Sequence, residues 1–292
     1  MEIVLAVGSL ITGLVLLEMG ADRLADDIGR LARHMRASEH MVGLLTAGGE
    51  WEELAVVLLA LGSGHPGLAV GNIIGACLAN LIGSMPLGFL GSRPVVPDRG
   101  ARVYAIAMLL VTALVGFMLF DGTIGSTAGG LLVVLFLLYV GSVVVIVSRG
   151  WLRPLIEDDD DDDDGRTPAG TGRRLVLVLL ALVVSLLVIG VGAELIVRGA
   201  VRIAESVGLS DYAIGATVVA IGTTLPDKAI SFIGGRRGQS GIVTANATGS
   251  NIFILTLVLG LAALFSKDGL EVAQNVVRVD LPLLLGASVL VV

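Results

Sequence analysis

Cysteine is nearly absent. Cys77 is the single one in 292 residues, which excludes a disulfide framework, and within its apolar stretch it reads as a small packing residue. Proline (8) and tryptophan (2) are scarce, whereas glycine (40) is abundant and 55% of the chain is hydrophobic. With a mean hydropathy of +0.92, this balance excludes an ordinary soluble core and predicts packed membrane helices. The first apolar stretch lacks a basic leading region and a small-residue cleavage site, so it reads as a retained helix rather than a signal peptide. Nothing suggests nucleic acid, no nucleotide motif is present, and neither an enzyme nor a cofactor is expected. The formal net charge of −7 misleads, because Glu157 and the seven residues Asp158 to Asp164 gather eight acids in one hydrophilic segment.

Stretches apolar enough to cross a hydrocarbon core of ~30 Å as helices fall at about 3–20, 41–61, 68–91, 103–120, 126–148, 174–197, 212–234 and 241–265. A ninth begins near Leu281 and reaches Val292, too short to cross, so the second half reads as incomplete at its C-terminus. Arginines follow spans 1 and 3 (Arg23, Arg30, Arg33, Arg36; Arg93, Arg99, Arg102) and fill the central loop, whereas the loops after spans 2 and 4 carry none. The positive-inside rule therefore predicts an outside N-terminus and a cytoplasmic central loop. Arg198 and Arg202 break the pattern, and "RGAVRIAESVG" reads as an interfacial stretch.

The segment "EDDDDDDDGRTPAGTGRR" from Glu157 cannot bury enough apolar surface to fold. It reads as a solvated linker over 151–173, between an N-terminal membrane half (1–150) and a C-terminal one (174–292). The spaced ligands and glycine turn of a calcium loop are missing from it.

Three acids interrupt the second span in "TAGGEWEELAVV": Glu50, Glu52 and Glu53. Each charge at bilayer centre costs roughly 2.5–3.5 kcal/mol on insertion scales, so water, a cation or a proton must accompany them. The stretch from Gly48 also lays on the stretch from Gly222 without a gap: at a constant offset of 174, Gly48 falls on Gly222, Glu53 on Asp227, Asn72 on Asn246 and Gly75 on Gly249. The matches are helix-breaking and polar positions. An odd number of spans per half, five, puts the copies in opposite orientations, a common transporter design.

Gly48 and Gly49 in one copy, and Gly222 with Pro226 in the other, can interrupt a helix and free carbonyls at membrane depth. Beyond the break, Glu50 and Glu53 share a helical face, as do Thr224 and Asp227, whereas Glu52 points elsewhere, toward an interface or vestibule, unless the helix is unwound there. The all-oxygen set suits Ca²⁺, Na⁺ or protons rather than soft metals. Glycine-rich apolar helices also arise from close packing alone, and Asn72 or Asn246 can serve as interhelical hydrogen-bond partners. His34, His40 and His65 read as exposed, Glu18 and Glu194 as reaching the interface, and Trp51 as a gate or a packing residue.

At these residues the chain resembles the cation/calcium antiporter superfamily, which includes sodium/calcium exchangers. "AIGTTLPDKAIS", followed by "NATGSNIF" from Asn246, is similar to its second alpha repeat, written G-T-S-x-P-E and then G-N-x-x-G-S-N. "AGGEWEELAVV" with "GNIIGACLAN" matches the first repeat in spacing more than in residues; the repeats span about 41–91 and 212–265. The resemblance implies an all-α polytopic membrane protein of two inverted five-helix repeats, a midplane ion site, and exchange of Ca²⁺ for Na⁺, K⁺ or H⁺. Carried over by position, Glu53 and Asp227 are its principal acids, with Thr223 and Thr224 as the hydroxyl pair, Ser250 as the downstream serine and Asn80 as a polar ligand. Departures are Gly49 and Glu50 for the hydroxyl pair, Glu52 for proline, Ala76 for serine, and Ile254 where an acid or amide is usual. Glu50 can supply the oxygen that Ile254 cannot. Lys228, next to Asp227, reads as a snorkelling or differently paired lysine, or else as a tethered counter-charge.

These readings predict a prokaryotic plasma-membrane antiporter whose partners are lipid and inorganic cations. A cation/proton antiporter without calcium selectivity, and a non-transporting sensor that keeps the fold, are the alternatives.

Overall fold

The computed structural model describes residues 2–34, 49–90, 99–149, 172–236, 240–266 and 269–292. Six helices there are long and apolar enough to cross a membrane, or seven if a pair bent by 55° around residues 224–226 counts as one span. These match seven of the eight expected spans, and of the remaining one only the part from Gly49 onward is described, 41–48 lying outside the described residues.

Helix α1 (Glu2–His34) is followed by α2 (Trp51–Gly62), α3 (Pro66–Leu78), a π-helical segment π1 (Ala79–Ser84), α4 (Met85–Phe89) and α5 (Arg99–Met118). Strand β1 (Thr123–Ile124) and helix α6 (Ser126–Ser148) complete the first half. The second half runs through α7 (Gly172–Val207), α8 (Asp211–Ile214), π2 (Gly215–Val219), α9 (Ala220–Thr223), α10 (Leu225–Arg236), α11 (Ser240–Phe253), π3 (Ile254–Val258) and α12 (Leu259–Phe265). Strand β2 (Leu270–Glu271), π4 (Val276–Asp280) and α13 (Leu281–Val291) follow.

The sequence offset of 174 is also the structural one. Shifted by it, Trp51–Gly62 lands on Leu225–Arg236 residue for residue, and π1 overlaps π3. Helices α1 and α7, equivalent under the shift, run antiparallel: Gly13 abuts Gly192 and Ile196, Gly20 abuts Ile189, and Gly199 abuts Ala6 and Leu10. Glycines let these backbones touch, as small residues do in lipid, where apolar side chains gain little from meeting each other.

One helix of each half forms the inner layer. The spans Pro66–Phe89 and Val243–Phe265 are each 78% buried, against 22% for Ser126–Ile146, whose apolar side chains face outward where lipid would lie. The α3 helix lies against 211–219 so closely that a Cβ on Gly71 would meet the Tyr212 carbonyl oxygen at 2.3 Å.

One expectation is corrected here. "RGAVRIAESVG" is not a separate interfacial stretch, since α7 runs unbroken through Val207. Ala200 and Ala204, four apart, are buried while the arginines face outward, so an amphipathic stripe continues the helix.

Loops from both halves meet at one end of the bundle. Thr123 pairs with Glu271 and Ile124 with Leu270 in a short antiparallel ladder, the one sheet among the described residues of this otherwise helical chain. At the same end Tyr212 donates to Asp280 Oδ2 (2.7 Å). His65, expected to be exposed, is half-buried there with Nδ1 2.7 Å from Asp211 Oδ2.

Candidate functional site

The first break lies where α2 begins. Glu50 is non-helical (φ −79°, ψ 66°), and Glu52 and Glu53 occupy the first turn. Helix N-termini favour negative charge, which offsets part of the cost of acids in this place. One carboxylate oxygen from each of Glu50, Glu52 and Glu53 lies within 4.8 Å of the others. If two such groups were ionised at an effective dielectric of ~20, they would repel by about 3–4 kcal/mol. Glu52 thus joins the cluster instead of pointing away. The i, i+3 argument failed because Glu50 sits outside the helix, so its direction does not follow helical spacing.

Glu53 is fully buried, and neither of its carboxylate oxygens has a hydrogen-bond partner among the described residues. A buried carboxylate in that state requires a cation or a proton.

The second break lies at Thr224, which leaves helical geometry (φ −88°, ψ 11°) between α9 and α10. Pro226 has no N–H to give the preceding turn. Thr223 Oγ1 donates to the Val219 carbonyl (3.1 Å) and Thr224 Oγ1 to the Ala220 carbonyl (2.7 Å). Both hydroxyls spend their proton on backbone and keep lone pairs free to accept. Asp227 Oδ1 accepts from Asn246 Nδ2 at 3.0 Å, so Asn246 is an interhelical partner and its target is a site acid. Glu53, Glu50 and Lys228 are charge neighbours of Asp227. Acids from the two halves therefore lie in one region.

Asn80, fully buried in π1, donates to Asn251 Oδ1 (3.4 Å) and leaves its own Oδ1 unpaired among the described residues. Asn251 Nδ2 donates to the Cys77 carbonyl (3.1 Å). Those two positions differ by the 174-residue offset, so the bond lies at the pseudo-twofold relation between the halves. Ser250 is buried one turn beyond Asn246 on the same helix. Ile254, the counterpart of Asn80, is fully buried at the start of π3 and offers no side-chain oxygen.

Sequence reasoning passed over Asn251, although it stands inside the quoted motif, and misplaced Glu18. That residue is in the interior of α1, half-buried, with Asp22, Asp227 and Glu53 as its charge neighbours, rather than at an interface. Glu194 pairs at the surface with Arg198 (2.6 Å). Trp51 packs edge-on against Phe253 (5.6 Å between ring centroids), which packs in the same way on Phe136. Lys228 turns back along its helix, donating to Thr224 Oγ1 and to the Thr224 carbonyl (3.2 Å). The side chains of His34 and His40 lie outside the described residues.

Residues 5–145 and 177–292 match the sodium/calcium exchanger protein family. An uncharacterized membrane protein of Methanocaldococcus jannaschii is 30% identical over 97% of this chain and 89% of its own length. The sodium/calcium exchanger MaX1 of Methanosarcina acetivorans is 36% identical over 37% of this chain and 31% of its own. A solved structure of the sodium-calcium exchanger NCX_Mj superposes with a TM-score of 0.60 at 29% identity, covering 99% of this chain and 90% of that one. The match extends through both halves, the two helix breaks and the inner helices between them: this chain is an integral membrane protein of the sodium/calcium exchanger family.

Proposed function

We propose that the chain is a secondary antiporter exchanging Ca²⁺, or a related divalent cation, for Na⁺ or H⁺ by alternating access. One observation carries this reading: the carboxylate cluster of the first break, with Glu53 buried and unpaired among the described residues, has Asp227 of the oppositely oriented repeat as a charge neighbour. Glu50, Glu53 and Asp227 supply the charge that favours a divalent ion, and Asn80, Thr223, Thr224 and Ser250 supply neutral oxygens. Glu50 takes over from the oxygen that Ile254 lacks. The N-terminus faces outward and the acidic segment faces the cytoplasm of a prokaryotic cell.

The test is ⁴⁵Ca²⁺ uptake into proteoliposomes under an imposed Na⁺ gradient and then an H⁺ gradient, with Glu53→Gln as the matched control. Uptake driven by either gradient and lost in the control is the expected result; gradient-independent or absent uptake overturns the reading. Crowding of three carboxylates within 4.8 Å favours a second reading, a cation/proton antiporter in which one acid carries a proton. In that case the H⁺ gradient alone drives flux.

A further inference from the structure

The two breaks are equivalent under the sequence offset and differ in charge. At the 174-residue offset Glu50 stands opposite Thr224, Glu52 opposite Pro226, and Leu54 opposite Lys228. The second break has thus acquired a cation of its own. The Lys228 ammonium donates to Thr224 Oγ1 and lies 3.2 Å from the Thr224 carbonyl oxygen and 3.5 Å from that of Ile221. On its way the side chain passes Gly83, where an added Cβ would sit 3.5 Å from Lys228 Cε. Gly83 belongs to π1, the segment that holds Asn80. The half-buried lysine therefore lies between a helix end of one repeat and the π-segment of the other. Asp227 and Glu53 are its charge neighbours.

Carbonyls at the C-terminal end of an interrupted helix are the oxygens that coordinate Na⁺ in broken-helix transporters. An ammonium is a compact point charge with three donors, able to satisfy the same oxygens. We propose that the Lys228 ammonium is a built-in monovalent cation: it fills the carbonyl-and-hydroxyl cradle of the second break, and the chain takes up one fewer monovalent counter-ion than a site without this lysine. The inference rests on the antiporter reading and deepens it.

A lysine that merely caps a helix end would make the same contacts without changing the ion count, so the count is the test. The full chain is purified as wild type, Lys228→Gln, Lys228→Met and Lys228→Arg. Bound ²²Na⁺ per protein is measured, and thermal midpoints are compared in sodium chloride and in N-methyl-D-glucamine chloride of equal ionic strength. ⁴⁵Ca²⁺ binding and its loss in Glu53→Gln are followed in parallel. Lys228→Gln, which keeps hydrogen-bonding capacity, and Lys228→Met are expected to bind one more Na⁺ than the wild type and to show a larger Na⁺-dependent rise in midpoint. Lys228→Arg gains neither. If Lys228→Gln and Lys228→Met keep Glu53-dependent Ca²⁺ binding but hold no more Na⁺ than wild type, the lysine is only a cap and the proposal is overturned. If no variant, nor the wild type, binds either ion in a Glu53-dependent way, the antiporter reading fails and this inference with it.

Discussion

The break before α2 and the break before α10 occupy the same place in two oppositely oriented repeats, yet one carries three acids and the other a single acid with two hydroxyls and a lysine. Electrostatics gives each set a reason to be where it is. Glu50, Glu52 and Glu53 gather at the N-terminal end of a helix, where the dipole is positive, and the Lys228 ammonium lies 3.5 Å from the Ile221 carbonyl near the C-terminal end of another, where it is negative. Glycine and proline fix where a helix breaks. The side chains around each break can then diverge while the backbone symmetry survives, because a break frees carbonyls whatever residues surround it.

The comparison can be broken most severely at the acids that the repeats share. Glu53→Gln and Asp227→Asn should each lower calcium-driven uptake by about two orders of magnitude or more, since deleting one member of a buried charged set costs roughly 3–5 kcal/mol. A deficit in one variant only would show that a single repeat holds the ion. Next in size is packing. A Cβ on Gly235 would lie 1.7 Å from the Gly88 carbonyl oxygen, and one on Gly190 would meet nothing within 4 Å. Gly235→Ala should therefore cost about 1–3 kcal/mol or more and lower the thermal midpoint in detergent, with Gly190→Ala leaving it unchanged.

Smaller still is exchanging the chemistry of the two breaks. Glu50→Thr gives the first break the residue of the second and should weaken calcium binding about 10-fold to 100-fold, or ~1.4–2.8 kcal/mol. Adding Ile254→Asp should restore part of the loss, as isothermal titration would report. An unchanged affinity in Glu50→Thr would mean that Glu50 contributes no ligand. The smallest effect is expected at the loop end of the bundle, where His65→Gln removes the pair with Asp211 that ties the halves together. The expected cost is ~0.5–1 kcal/mol, as for other partly exposed pairs, read as a small fall in midpoint with transport intact.

Much of this arrangement was legible before any coordinates. Hydropathy located seven of the described spans, and the matching glycines and acids gave the offset on which the helices superpose. What escaped was direction. Glu52 looked like an outward-facing residue because helical spacing was applied across Glu50, which is not helical. Glu18 looked interfacial because apolarity fades beyond it, yet α1 continues to His34 by packing on α7. "RGAVRIAESVG" was taken for a surface stretch because its arginines are conspicuous and its buried alanines are not.

The sequence by itself determined that the chain lives in a membrane, that it is two copies of one plan, and where the second copy interrupts its helix. Those properties depend on composition and on residues that act locally: apolar runs, glycine, and a proline without an N–H. Tertiary structure alone decided that three acids of one repeat have Asp227 of the other as a charge neighbour, that Asn251 bonds across the pseudo-twofold relation, and that Lys228 lies between a helix end of one repeat and the π-segment of the other. Where a helix is broken, the aim of a side chain follows from non-helical dihedral angles and from neighbours 170 or more residues away, and no local pattern encodes either.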